Sequence, residues 1–102
     1  MSVPESFTFT AKVWLWNGHT PWHFISLPEE IADEVEDLSH DTARGFGSVR
    51  VEVRSSHVVW QTSLFPDKKS GTFILPLKKQ VREQLACSEG SRITVSIRLI
   101  EN

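Results

Sequence analysis

Hydrophobic and polar residues alternate with a period of two along most of this chain, and only two short stretches switch to helical spacing. Phe7, Phe9, Ala11, Val13 and Leu15 alternate with Thr8, Thr10, Lys12, Trp14 and Trp16, the pattern of a strand with one buried face. Asn17-Gly18 is a turn signal, and Trp22 to Leu27 is expected to return as the second strand of a hairpin. Pro28 suits the first turn of a helix, where its missing N–H costs nothing, and Glu29 and Glu30 follow where the helix dipole favours acids. Ile31, Val35 and Leu38 recur at helical spacing, which predicts that they face the core while Asp33, Glu34, Glu36 and Asp37 meet water.

The second part of the chain repeats the scheme. Ser39 to Gly47 reads as a loop, after which Val49, Val51 and Val53 alternate with Ser48, Arg50, Glu52 and Arg54 in a third strand. Ser55-Ser56 turns the chain into a fourth strand, Val58 to Phe65, and Pro66 to Gly71 forms an exposed turn. Thr72 to Leu75 is the fifth strand, Leu77, Val81 and Leu85 mark the inner face of a second helix, and Ile93, Val95, Ile97 and Leu99 alternate through a sixth. The segments WHFISLPEEIADEV (22–35) and TFILPLKKQVREQL (72–85) share one order: apolar strand, Leu-Pro or Pro-Leu, amphipathic helix. The chain therefore reads β-β-α-β twice. Helices this short cannot cover an open sheet, so the expected fold is mainly β, a six-stranded pseudo-twofold barrel capped by two helices. The β-α-β-β-α-β order of a ferredoxin-like sandwich does not match.

Composition adds bounds. With 102 residues there is room for one domain, 1–102, around one core, and 39% hydrophobic with 24% charged residues is the balance of a globular chain. The opening Met-Ser-Val-Pro-Glu has no basic or apolar stretch of a signal peptide, and the apolar runs are too short for a membrane span. The lone Cys87 makes no internal disulfide, which fits a cytoplasmic, bacterial setting without membrane association. The net charge of −2 hides a division: residues 1–45 carry only Lys12 and Arg44 against eight acids, and residues 46–102 carry nine basic residues against five acids. A uniformly basic nucleic-acid binder is not distributed in this way.

Three stretches taken together resemble a known family: RGFGSVRVEV (44–53), WQTSLFPDKKSGTFILPLKKQVR (60–82) and PWHFISLPEE (21–30). They are similar to an uncharacterised bacterial domain of unknown function, of about one hundred residues, the size of a single core. Its members occur alone or fused to bacteriocin-protection (YdeI/OmpD-associated-like) domains. The resemblance implies a double-split β-barrel capped by helices, a fold shared with AbrB/MazE-type transcription factors, and brings no activity with it. Residues 71–95 also look like half of an AbrB-type unit, although Pro76 and Arg82 lie two residues further apart than in that motif and one chain supplies both halves. Fold likeness does not carry function across.

Candidate chemistry is sparse. Lys78 and Lys79 open the second helix and Arg82 follows one turn later, where cations oppose the helix dipole. A local rule broken in this way can mark a working site, and Lys78, Lys79 and Arg82, with Lys68 and Lys69 if the turn folds back, suit a phosphate or carboxylate. A solvated face, or contact with the acidic helix, accounts for the same charges. Four tryptophans with no tyrosine is an unusual choice; Trp16, Trp22 and Trp60 are expected to form an aromatic surface unless a helix covers it. His19, His23, His40 and His57 are scattered, so no metal site is expected, and Ser48, Ser63 and Cys87 have no evident base, so no catalytic residue and no cofactor are assigned. The expectation is a non-enzymatic binding or interaction module for an anionic small molecule or a protein partner. The alternatives are nucleic-acid binding through the basic second half and a small enzyme built on the loops 44–48 and 65–71. The oligomeric state is left open.

Overall fold

The computed structural model describes residues 6–18, 20–39 and 47–100. The period-two segments form seven strands: β1 (Ser6–Lys12), β2 (Trp14–Trp16), β3 (Trp22–Ser26), β4 (Val49–Ser55), β5 (Val58–Asp67), β6 (Thr72–Pro76) and β7 (Arg92–Leu99). Helix α1 (Glu29–Ser39) joins β3 to β4, and α2 (Lys79–Leu85) joins β6 to β7. All pairings are antiparallel, in the order β1-β7-β4-β5-β6-β3-β2. The two strands at the ends of this order, β1 and β2, are consecutive in the chain and separated only by Val13. The sheet therefore curls into a barrel-like form. No described helix is long and apolar enough to cross a membrane.

The count is seven strands rather than six because Val13 leaves the ladder. Its N–H donates to Ser91 O at 2.8 Å and its carbonyl accepts from Gly90 N at 2.8 Å, so the break is tied to the turn before β7. In the second half β5 makes the equivalent change without a break: Val58 to Leu64 pair with β4, and Phe65 to Asp67 pair with β6. The remaining pairings also correspond between halves, with β1 on β7 answering β5 on β4, and β3 on β6 joining the two.

The inward positions fill the interior as their alternation requires. Ile25, Leu64, Leu75, Val51, Val53 and Ile97 are fully buried, joined by Val35 from α1 and Val81 from α2. Three details of the sequence reading change. Strand β5 runs on through Pro66 and Asp67, which pair with Phe73 and Thr72 of β6, where the sequence reading placed a turn. Helix α1 buries Ala32, Val35 and Ser39, so its inner face is turned from the expected one, and Leu38 is left 48% exposed. Leu77 is buried but precedes α2; its N–H bonds His23 O at 2.9 Å, continuing the β3–β6 ladder by one position. Helix α2 ends at Ala86, whose left-handed backbone (φ 54) lets Ala86 N and Cys87 N reach Glu83 O and Arg82 O.

Leu75→Ala removes a fully buried side chain from β6. It should lower stability by about 2–5 kcal/mol, read as a lower urea midpoint with an unchanged slope. A loss well under 1 kcal/mol would place Leu75 outside the tightly packed core.

Candidate functional site

The outer surface of the barrel has two unlike parts. On β1, β7 and β4 the outward positions are polar and several are partnered, while Val59 at the start of β5 is apolar and exposed. Thr8 Oγ1 and Ser96 Oγ lie 2.7 Å apart, as do Thr10 Oγ1 and Thr94 Oγ1. Arg98 and Glu52, opposite each other in the ladder, form an ion pair at 3.2 Å, and Arg50 donates to Ser63 Oγ at 3.4 Å. This is the cross-strand chemistry of a face built for water.

On β2, β3 and β6 the outward positions are aromatic or apolar except Ser26 and Thr72. The ladder sets Trp14 opposite Phe24 and Phe24 opposite Pro76, Trp16 opposite Trp22, and Ser26 opposite Ile74, which in turn faces Phe65 of β5. Trp16 is 49% exposed, Trp22 52% and Phe65 44%. The rings hold one another: Trp14 and Phe24 have centroids 5.1 Å apart, and Trp22 stacks on Phe24 at 6.5 Å with an interplanar angle of 19°. Trp14 Nε1 donates to Ser26 Oγ at 2.9 Å, so its polar atom is satisfied. The ring of Trp16 lies over Gly18, so close that a Cβ there would fall 1.9 Å from it. Among the described residues, no helix covers Trp16 or Trp22. Trp16 and Trp22, register partners that are each about half exposed, form one contiguous aromatic surface.

The cations of the sequence reading divide. The bond from Leu77 N to His23 O carries the β3–β6 register onward, which brings Lys78 level with Trp22. Lys78 keeps an extended backbone (φ −65, ψ 156), and both Lys78 and Lys79 are exposed. Arg82 is half-buried and turns back, its Nε donating to Leu77 O at 3.2 Å. Helix α2 has only seven residues, so its dipole is a minor force here. Lys68 and Lys69 sit in the turn at the far end of β6, roughly 16 Å from Lys78 by strand rise. They do not join that group. Trp60 also lies apart: opposite Val53 on the inner face, it packs against the core, and its buried Nε1 has no partner among the described residues.

Two further cations were not singled out from sequence. Lys12 and Arg92 are register partners at the end of β1 and the start of β7, both exposed, and Lys12 is the outward residue before Trp14. Like charges directly opposite one another repel, and only knowledge of the register reveals the pairing. Among the described residues, Lys12, Arg92, Lys78 and Lys79 have no carboxylate within ion-pair distance; the one ion pair is that of Arg98 with Glu52.

The other candidates come to less. Pro66 and Asp67 at the end of β5, with Lys68 and Gly71 of the following turn, line a cleft of about 190 Å³ with Ala32, Asp33 and Glu36 of α1, smaller than ordinary ligand pockets. Arg44 to Phe46, His19 and His40 lie outside the described residues. Among the described residues no three His, Cys, Asp or Glu side chains gather as metal ligands. Cys87 is buried, and burial pushes its thiol above the ordinary pKa, with the positive charge of Arg82 acting the other way.

Set beside known proteins, residues 9–97 match a family model described as a domain of unknown function, DUF1905. No curated protein matches the chain.

Gly18→Ala should force the Trp16 ring off its seat, changing tryptophan emission and near-ultraviolet dichroism while the far-ultraviolet spectrum is kept. Unchanged aromatic spectra would mean that Trp16 does not rest on Gly18. For Cys87 the unfolded chain ionises before the folded one, so stability is level below the ordinary thiol pKa and falls as pH rises past it. Urea midpoints of wild type and Cys87→Ala across that range should diverge accordingly; parallel curves would show that the thiol is not shifted.

Proposed function

The chain belongs to the DUF1905 family of domains of unknown function, and we propose that it is a non-enzymatic binding module whose working surface is the outer face of β2, β3 and β6. One observation carries the reading: exposed Trp16 and Trp22 lie side by side in the ladder, with Lys78 next in register to Trp22. Leaving two half-exposed indoles in water forgoes burial of large apolar area, on the order of 25 cal/mol per Å². A ligand that covers the rings recovers this term, and cations at the rim select for a negative one. The occupant is an anionic molecule or an anionic protein surface. Trp16 and Trp22 supply apolar contact and Lys78 and Lys79 supply charge, with Arg82 holding the start of α2 in place through Leu77 O.

The same reading takes the barrel to be a double-split one, with each half contributing one bent strand that changes partner, at Val13 in the first and after Leu64 in the second. It also places the protein in the bacterial cytoplasm, a setting in which the unpaired thiol of Cys87 is stable.

Titration of the isotope-labelled protein with inorganic polyphosphate at low salt tests the surface. Resonances of Trp16, Trp22, Lys78 and Lys79 should shift together, and the double variant Lys78→Gln/Lys79→Gln should bind several-fold more weakly while melting at the same temperature. Shifts confined to Lys68 and Lys69, or none at all, would remove this surface from consideration.

A further inference from the structure

Resting on that reading, we infer that the occupant of the β2–β3–β6 face is single-stranded nucleic acid, its bases stacked on the tryptophans and its phosphates held by cations at two ends of the aromatic row. The argument begins with where the charges stand. Along the first strand the outward positions run Lys12, Trp14, Trp16, with Arg92 opposite Lys12. Across the hairpin they run Trp16, Trp22 and then Lys78 by the continued register, with Lys79 following. The aromatic row is bracketed by Lys12 and Arg92 at one corner and by Lys78 and Lys79 at the diagonal one. Two strand spacings across and four residues along set these corners roughly 16 Å apart. That is on the order of five stacked nucleotides at 3.4 Å each.

No outward position of β2, β3 or β6 is acidic. Six of the eight carboxylates of the first half stand instead on α1, which begins beyond Ser26, at the opposite end of β3 from Trp22. A row of π faces with cations at both ends and no acid between them is the arrangement that takes an alternating chain of flat bases and anionic links. An acidic peptide satisfies the lysines but leaves the ring faces without planar partners.

The rings are also held ready. Trp14 is fixed by Ser26 and Phe24, Trp22 stacks on Phe24, and Trp16 rests on Gly18, so little side-chain freedom remains to be lost on binding. The surface draws on both halves of the chain, Lys12 and the tryptophans from the first and Arg92, Lys78 and Lys79 from the second. It is therefore not the basic second half acting alone. Arg50, Arg54 and Arg98 lie on the polar face, away from it.

The experiment is a tryptophan-quenching titration of the full chain with the oligonucleotide dT8 at 20 mM and at 150 mM salt, beside poly-glutamate of equal charge and phosphatidylserine vesicles. Binding of dT8 should quench emission, with log K falling against log salt at a slope near −2 to −3, about 0.7 per phosphate held by the four cations. Trp16→Ala and Trp22→Ala should each weaken dT8 roughly five- to hundredfold. Lys78→Gln/Lys79→Gln should flatten the slope by about 1.4 with quenching retained, a readout that does not depend on the tryptophan variants folding. Poly-glutamate or vesicles binding at Trp16 and Trp22 while dT8 does not would overturn the nucleic-acid assignment and leave the binding surface standing. If none of the three, and not polyphosphate either, perturbs those residues, both fall.

Discussion

Closure of the sheet through a single residue is the constraint on which the rest of this structure depends. The order of strands begins with β1 and ends with β2, and Val13 is the only link between them. A strand that continued straight would stay in one sheet with β7; stepping out of the ladder at Val13 lets the same chain pair β7 on one side of the break and β3 on the other. The polar groups released by the step are taken up by Ser91 and Gly90, so closure leaves no buried orphan at that point. Because Val13 is itself buried, the inward alternation passes through the break without slipping, and Lys12, Trp14 and Trp16 remain on the outside together.

That continuity explains why two kinds of outer surface can coexist on one small barrel. The β1–β7–β4 side pairs its central outward groups through hydroxyl pairs and the Arg98–Glu52 bridge. The β2–β3–β6 side fills its outward positions with rings that satisfy one another only in part, since Trp16 and Trp22 keep about half their surface in water.

Much of this was legible in the sequence. Period-two alternation gave the strands, Pro28 and the Leu-Pro repeat placed both helices, and the opposed faces of Phe7 and Trp14 were readable from spacing alone. What could not be read is what depends on partners distant in sequence. Trp60 alternates outward-looking residues with inward ones as plausibly as Trp22 does, and only its place opposite Val53 assigns it to the core. The pairing of Lys12 with Arg92, eighty residues apart, requires the register of β1 on β7. Leu38 failed for a different reason: a small shift in helix rotation exchanges it for Ala32 and Ser39, and short amphipathic helices with few apolar residues do not specify their rotation closely.

The acidic balance of the first half counts against an anionic ligand only if its carboxylates stand near the cations, and distance decides the matter. Lys78 lies beside Trp22 at one end of β3, and α1 begins past Ser26 at the other, roughly 16 Å away by strand rise. At physiological ionic strength the Debye length is about 8 Å, so Glu29 and Glu30 at the start of α1 are screened from a phosphate at the lysines while direct contacts are not. At lower salt the same carboxylates are felt. Added salt then weakens the attraction at Lys78 and the repulsion from α1 together, and the net dependence is shallower than the number of contacts implies. Six of the chain's acids thus stand on α1, at the other end of β3 from Lys78, while Glu83 follows Lys79 by one turn of α2 and Glu89 lies in the turn before Arg92. On the proposed reading, a polyanion on the tryptophan face would run away from α1.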